Sequence, residues 1–190
     1  MIKAIIFDCF GVLTTDSWRA FLDGLPPEAD KVRARELNHQ LDAGLITMEE
    51  FLEQVQEVTG HKPIQVENII DNEVAKNTAL LNYIKELKSK YKIGMISNVA
   101  TPWITDTFLT PEEQELFDEM IFSFEVGMTK PDRRIFMLAC ERLRIGPHEA
   151  VFIDDIESYC EVARGEGLAA IVYKDFSQMK KELEGILSQE

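Results

Sequence analysis

Three apolar segments of the sequence each end in side chains that can take part in acid–base or metal chemistry. The side chains that follow them are, in chain order, Asp8, the pair Ser97 and Asn98, and the pair Asp154 and Asp155. One aspartate after a strand is usually a turn or a helix cap, but parallel strands bring their carboxyl ends to one edge, where ligands bind. Carboxylates from separate strands repel each other unless a cation lies between them, and all-oxygen ligation suits Mg²⁺.

The elements that position these side chains follow an alternating pattern. Apolar runs without polar alternation indicate strands that are buried on both faces, and they lie at residues 3–7, 91–96, 119–124, 150–153 and 168–173. Helical periodicity falls between and after them, at residues 78–90, 132–144, 157–166 and 175–187. This alternation predicts a doubly wound, Rossmann-like α/β fold with a parallel sheet.

The segment between the first two strands breaks the alternation. About 75 residues intervene where a crossover needs roughly a dozen, and most of them show helical periodicity. We therefore predict a helical cap at residues 15–76, inserted into a core formed by residues 1–14 and 77–190. Thr47 and Glu50 have the spacing of a capping box that starts one of its helices. A helical elaboration without a functional role is the alternative.

Composition restricts the partners. The chain of 190 residues has a formal net charge of −14, which disfavours nucleic acid and anionic lipid surfaces. No apolar run approaches the length of a membrane span. The first apolar run is interrupted by the acidic Asp8, which makes it too short for the apolar region of a secretion signal. The three cysteines have no spacing typical of a disulfide framework or a zinc site. These features predict a cytoplasmic protein, either a monomer or a homodimer.

Four short motifs in chain order resemble the haloacid dehalogenase superfamily, and the helical insertion resembles the C1 caps of that family. The motifs are Ile5-Ile6-Phe7-Asp8-Cys9-Phe10-Gly11-Val12-Leu13, Ile96-Ser97-Asn98, Lys130-Pro131-Asp132 and Phe152-Ile153-Asp154-Asp155. The likeness covers nearly the whole chain. It implies a hydrolase that acts on a small molecule through a covalent intermediate on an aspartate.

The resemblance implies a role for each motif residue. Asp8 would be the nucleophile, Ser97 and the backbone near Asn98 would hold the oxygens of the transferred group, and Lys130 would pair with Asp8 and the substrate anion. Local pattern alone leaves Lys130 open as a solvated loop lysine ahead of a helix.

The resemblance also implies a magnesium site. Its ligands would be Asp8, the backbone carbonyl of Phe10, and an aspartate of the fourth motif, with Asp155 preferred over Asp154. Together with Lys130, Mg²⁺ would create a positive pocket in an acidic protein.

The first motif departs from the family pattern at Phe10. Phosphatases of the family carry there a second aspartate, which protonates the leaving oxygen and then activates water. Such acid–base catalysis contributes about 10²–10⁴ in rate. A replacement acid could come from Asp16, His39 or His61, although a helix cap and solvated histidines are the commoner roles at such positions.

Three functions follow from this departure. The favoured one is a Mg²⁺-dependent phosphatase of a small phosphorylated metabolite, because Asp154 and Asp155 need a positive partner. The second is a hydrolase like the 2-haloacid dehalogenases, which carry an aromatic residue where Phe10 stands and need no general acid. The third is a non-catalytic binding or regulatory protein that has retained the fold. Trp18, Phe21 and Trp103 are candidates to line the substrate gap.

Overall fold

A computed structural model describes residues 1–26, 30–70 and 75–188, and its centre is a five-stranded parallel sheet. The strands are β1 (Ala4–Phe7), β2 (Lys92–Ser97), β3 (Glu119–Phe122), β4 (Ala150–Asp154) and β5 (Ala169–Val172). Their spatial order is β3-β2-β1-β4-β5, so β1 lies at the centre with β2 and β4 as its neighbours. The predicted doubly wound α/β fold is confirmed.

Ten α-helices connect or flank the strands in the described residues. They are α1 (Ser17–Gly24), α2 (Lys31–Asp42), α3 (Met48–Thr59), α4 (Pro63–Ile70), α5 (Thr78–Leu87), α6 (Pro111–Gln114), α7 (Ser123–Val126), α8 (Arg133–Leu143), α9 (Glu157–Gly165) and α10 (Phe176–Leu187). A π-helical turn at Ile104–Phe108 and a 3₁₀ turn at Pro147–Glu149 complete the set. None of these helices is both long and apolar enough to span a membrane.

Both faces of the sheet are covered by helices. All four side chains of β1 are buried, and because successive side chains of a strand point in opposite directions, they enter two different cores. Ile5 and Phe7 join the core that includes α5 and α10, whereas Ala4 and Ile6 join the core that includes α8 and α9. This two-sided burial explains the apolar runs of the sequence.

The helices α1 to α4, here called the helical insertion, have apolar clusters of their own. Leu37, Phe51 and Val55 are fully buried among them, with Leu22 and Ala34 in a smaller adjoining cluster. The predicted capping box is confirmed: Thr47 accepts a hydrogen bond from the backbone N–H of Glu50, whose side chain accepts from that of Thr47. The predicted cap ends at residue 76. Residues 71–74, just before that boundary, lie outside the described residues.

We predict opposite stability effects for alanine at two glycines. A Cβ at Gly94 of β2 would approach Leu143 Cδ1 to 2.9 Å and Ile6 Cγ1 to 3.2 Å, whereas a Cβ at Gly185 of α10 would meet nothing within 4 Å. Gly94→Ala should lower the free energy of unfolding by about 1–3 kcal/mol through overpacking. Gly185→Ala should raise it by about 0.5–1 kcal/mol through helix propensity. Thermal and urea unfolding measure both, and equal melting temperatures would contradict the packing at Gly94.

Candidate active site

The carboxyl ends of β1, β2 and β4 meet at one edge of the sheet. Phe7 is paired with Met95 of β2 and Ile153 of β4, so Asp8 follows at the same level as Asp154. The backbone N–H of Asp8 continues the ladder by donating to the carbonyl of Ile153 at 2.9 Å. Above this edge lies a cleft of about 540 Å³, lined by residues of the sheet edge and of the helical insertion.

A buried ammonium group joins two of the strand ends. Lys130 is 1% exposed, and its Nζ lies 2.7 Å from Asp8 Oδ1 and 2.6 Å from Asp154 Oδ2. The rings of Phe152 and Tyr159 flank the same Nζ at 5.6 and 5.3 Å from their centroids. The alternative of a solvated loop lysine is therefore wrong.

The close contact between Lys130 and the two carboxylates shifts the pKa of Lys130 and of Asp8. Burial opposes the charged form of Lys130, but the carboxylates of Asp154 and Asp8 outweigh it and raise the pKa of the ammonium. Burial, followed by the charge of Asp154, raises the pKa of Asp8, and Lys130 offsets only part of that rise. Further positive charge near Asp8 would lower its pKa and favour the carboxylate form.

Hydrogen bonds fix the backbone of Lys130 and the carboxylate of Asp8. The side chain of Asn98 accepts from the backbone N–H of Lys130 at 2.8 Å and donates to its carbonyl at 3.0 Å. Asp8 Oδ1 also accepts from the backbone N–H of Cys9 at 2.6 Å. In the described part of the chain, Asp8 Oδ2 accepts no hydrogen bond, which leaves it as the oxygen available to a reacting atom.

Asp8, Asp154 and Asp155 form an acidic cluster in which one oxygen of each lies within 4.8 Å of the others. Both oxygens of Asp154 are engaged, since Oδ2 contacts Lys130 and Oδ1 accepts from the backbone N–H of Ile156 at 2.8 Å. Asp155 Oδ1 is buried without a hydrogen-bond partner among the described residues. An unpartnered buried carboxylate oxygen is costly unless a cation neutralises it.

The cluster fits a hard divalent cation. Two oxygens without hydrogen-bond partners in the described chain are suited to ligation, Asp155 Oδ1 and the carbonyl oxygen of Phe10, and the carboxylate of Asp8 lies close enough to complete the set. Gly11 follows with φ of +83°, and a Cβ there would collide with the carboxylate of Asp155. Glycine thus permits both the turn after Phe10 and the approach of Asp155 to it.

Arg19 is a site residue that the sequence patterns did not identify. It projects from α1 and forms ion pairs with Asp155 and with Asp16, the latter at 3.4 Å. Burial raises the pKa of Asp155, and Arg19 opposes that rise. The ion pair joins the helical insertion to the acidic cluster, a contact between distant segments that local spacing does not reveal.

The remaining candidates lie in different surroundings. Ser97 is fully buried, its Oγ has no partner in the described chain, and it does not line the cleft. Phe10 lines the cleft and stacks on Trp103, with ring centroids 5.7 Å apart. Trp18 also lines the cleft, whereas Phe21 packs against Trp18 and His61 outside its lining.

Three acids or bases of the helical insertion and the turn before it line the cleft near Phe10: Asp16, His39 and Asp42. Asp16 lines the cleft and caps α1 by accepting from the backbone N–H of Arg19 at 2.8 Å. His39 also lines the cleft, whereas His61 does not. Asp42, the last residue of α2, lines it as well and was missed, because a carboxylate near a helix end resembles a solvated one in sequence.

Comparisons with known proteins agree with this geometry. Residues 2–163 match the family of haloacid dehalogenase-like hydrolases. The chain is 26% identical to the D-ribitol-5-phosphate phosphatase of Bacteroides thetaiotaomicron, over 99% of this chain and 100% of that one. It is 39% identical over 70 residues to bifunctional epoxide hydrolase 2 of Sus scrofa, but it spans only 13% of that longer relative.

Solved structures share the fold. The magnesium complex of the enzyme bt-2542 from Bacteroides thetaiotaomicron superposes with a TM-score of 0.71 at 26% identity, covering 94% of this chain and 98% of that one. A 2-haloacid dehalogenase from Pseudomonas syringae superposes with a TM-score of 0.61 at 18% identity, covering 91% and 86%, which is a likeness of fold alone. The chain belongs to the haloacid dehalogenase-like hydrolase family.

Removal of the buried ammonium should destabilise the protein in a pH-dependent way. Lys130→Met leaves Asp8 and Asp154 buried as unpaired like charges, which should lower the free energy of unfolding by about 3–5 kcal/mol at pH 7.5. The loss should shrink toward pH 5, because protonation of Asp8 relieves the repulsion. Chemical unfolding in EDTA across this pH range measures it. The exposed Lys174→Met is the control, and a loss that is independent of pH would contradict the prediction.

Proposed function

We propose that the protein is a Mg²⁺-dependent phosphatase of small phosphorylated metabolites. The observation that carries the proposal is the acidic cluster with its buried, unpartnered Asp155 Oδ1, beside a carboxylate that is paired with Lys130. This arrangement supplies a nucleophile and a fixed cation that line one cleft, with a set of oxygen ligands beside them. The similarity to a D-ribitol-5-phosphate phosphatase along its whole length supports the same class of substrate.

In this proposal Asp8 is the nucleophile. Oδ1 is held by Lys130 and by the backbone N–H of Cys9, which orients the carboxylate and leaves Oδ2 to attack phosphorus. An aspartyl phosphate forms, and water then hydrolyses it to regenerate the carboxylate. Lys130 neutralises charge on the transferred group, while Asn98, which lines the cleft, borders it on the β2 side.

The metal would be held by Asp8, Asp155 and the carbonyl of Phe10, with Asp154 as the counter-ion of Lys130. Bound there, Mg²⁺ would withdraw charge from the phosphoryl oxygens and favour the ionised form of Asp8. The ion pair of Asp155 with Arg19 leaves Asp155 Oδ1 without a partner in the described residues, which supports its proposed role as a ligand.

We also propose that residues 15–76 form a cap domain that selects the substrate over a core made of residues 1–14 and 77–190. The helical insertion contributes Trp18, Arg35 and His39 to the wall of the cleft. Closure of such a wall excludes water while the reaction proceeds. The net charge of −14 favours a cytoplasmic protein without nucleic acid or membrane partners, as a monomer or a homodimer.

A dehalogenase-like hydrolase is the second candidate, because the aromatic Phe10 lies in the cleft beside Asp8. Its stack with Trp103, which in turn stacks on Phe108 at 5.3 Å, gives Phe10 a packing role that requires no haloacid. A non-catalytic protein is the third candidate. The oriented Asp8 and buried Lys130 weigh against it, since a binding protein has no need of a positioned nucleophile.

The phosphatase proposal is tested with 4-nitrophenyl phosphate, whose leaving group needs little protonation. We expect turnover that requires Mg²⁺ and stops in EDTA. Asp8→Asn should lower kcat by a factor on the order of 10⁴ or more, because it removes the nucleophile. Asp155→Asn should raise the Mg²⁺ concentration for half-maximal activity at least about tenfold.

The control is Asp23→Asn, an exposed aspartate of α1 outside the cleft lining, which should retain full activity. Absence of Mg²⁺-dependent turnover across a panel of phosphate esters refutes the proposal. Metal-independent chloride release from 2-chloropropionate would establish the dehalogenase instead. Mg²⁺ binding by calorimetry without turnover on either panel would favour the non-catalytic protein.

A further inference from the structure

We propose that Asp42, supplied by the helical insertion, is the general acid and base that replaces the aspartate missing at Phe10. The inference rests on the proposed phosphatase function and deepens it. A phosphatase that cleaves alkyl esters must protonate a poor leaving group, and Phe10 has no proton to give. The required carboxyl group must therefore enter the cleft from another element.

The position of Asp42 meets this requirement. It ends α2 of the helical insertion and lines the same cleft as Asp8, Phe10 and Lys130. A leaving group points away from the attacking oxygen in an in-line displacement, so its oxygen would face the helical insertion rather than the sheet.

The hydrogen bonding of Asp42 leaves one oxygen free for a substrate. Asn38, one helical turn earlier, donates from Nδ2 to Asp42 Oδ2 at 2.9 Å. No other hydrogen bond to this side chain occurs in the described residues, so Oδ1 is available to the cleft. Asn38 lines the cleft too and holds the carboxyl group in a fixed orientation.

The surroundings of Asp42 suit a group that gives and then takes a proton. Burial, with the negative charge of Asp16, raises the pKa of Asp42 to about 7, while Lys130 and the hydrogen bond from Asn38 oppose the rise. The other titratable or charged groups that line the cleft in the described residues are Tyr159, His39, Arg35, Arg19 and Asp8. An acid with a pKa near 7 has both protonation states populated at neutral pH.

The other candidate acids are less suited by their contacts. Both oxygens of Asp16 are engaged by Arg19, one by its backbone N–H at 2.8 Å and the other by Nε at 3.4 Å. His39 Nε2 is directed to Thr129 Oγ1 at 3.4 Å, and His61 lies outside the cleft lining. Asp42 is the acid whose oxygen remains free inside the cleft.

The proton balance of the reaction is complete with Asp42. As Asp8 Oδ2 bonds to phosphorus and the ester P–O bond breaks, the Asp42 carboxyl group donates its proton to the leaving oxygen, which departs as an alcohol. The Asp42 carboxylate then accepts a proton from the water that attacks the aspartyl phosphate. The acyl phosphate P–O bond breaks, Asp8 returns to its carboxylate form, and inorganic phosphate leaves.

The test compares leaving groups in Asp42→Asn, which keeps the size and the Asn38 contact. For the alkyl phosphate that the wild type hydrolyses fastest, taken from glycerol 3-phosphate and sugar phosphates, kcat/KM should fall about 10²–10³-fold. For 2,4-dinitrophenyl phosphate, whose leaving group needs no proton, kcat/KM should change less than about threefold. Retained hydrolysis of the dinitrophenyl ester also shows that the variant folds.

A second readout does not depend on turnover. In the metal-free protein, the ¹³C carboxyl resonance that is lost in Asp42→Asn should titrate with a midpoint near 7. In the wild type, kcat/KM for the alkyl ester should decline above that pH, because the acid is then deprotonated. Asp42→Asn should lose this decline. A midpoint in the ordinary range of an aspartate overturns the proposal.

Glu36→Gln, an exposed substitution on the same helix, is the matched control and should leave both kinetic constants unchanged. Asp16→Asn retains a capping side chain and tests the competing acid. Equal losses on both esters in Asp42→Asn, no loss on either, or a selective loss in Asp16→Asn instead would each overturn the role of Asp42. So would a wild type that hydrolyses only activated esters. If the wild type hydrolyses no phosphate ester with Mg²⁺, the phosphatase function itself fails and the acid role falls with it.

Discussion

The ammonium of Lys130 between the carboxylates of Asp8 and Asp154 is the interaction on which the site depends. Two carboxylates at the buried ends of adjacent strands repel each other, and each is costly to remove from water. A single cation between them makes the arrangement possible and fixes the separation of β1 and β4 at their carboxyl ends. The bonds from Asn98 to the backbone of Lys130 extend the same constraint to β2.

This constraint divides the acidic residues into two kinds. Both oxygens of Asp154 are engaged, one by Lys130 and the other by the backbone N–H of Ile156. Asp154 therefore stabilises the ammonium of Lys130 and has no oxygen left to bind a metal ion or a substrate. Asp155 has an unpartnered oxygen and approaches the turn at Gly11, where a side chain would exclude it. Asp8, the proposed nucleophile, is half engaged: Oδ1 is held by Lys130 and Cys9, and Oδ2 accepts no hydrogen bond in the described residues. A small number of hydrogen bonds thus separates structural from chemical carboxylates.

Much of this arrangement could be predicted from sequence, because parts of it are local. The five strands follow from two-sided apolar runs, and the capping box at Thr47 follows from a spacing of three residues. The strand ends at Asp8 and Asp154 follow from the rule that parallel strands share an edge. The contacts that α1 and α2 make with the carboxyl edge of the sheet leave no comparable pattern in the sequence. Arg19 and Asp42 reach the cleft because α1 and α2 pack over it, and the tertiary packing of a helix face is not readable from spacing alone.

Asp154 ends β4 and Asp155 is the first residue beyond it, and the two carboxylates contact different partners. Asp154 contacts Lys130, while Asp155 approaches Gly11 and pairs with Arg19. Insertion or deletion of a single residue in β4 would move both carboxylates relative to Lys130 and Gly11 without removing either acid from the composition. The sequence would still contain both acids, but the contact between Lys130 and Asp154 would be lost. The register of β4 against β1 is thus as much a part of the site as the side chains themselves.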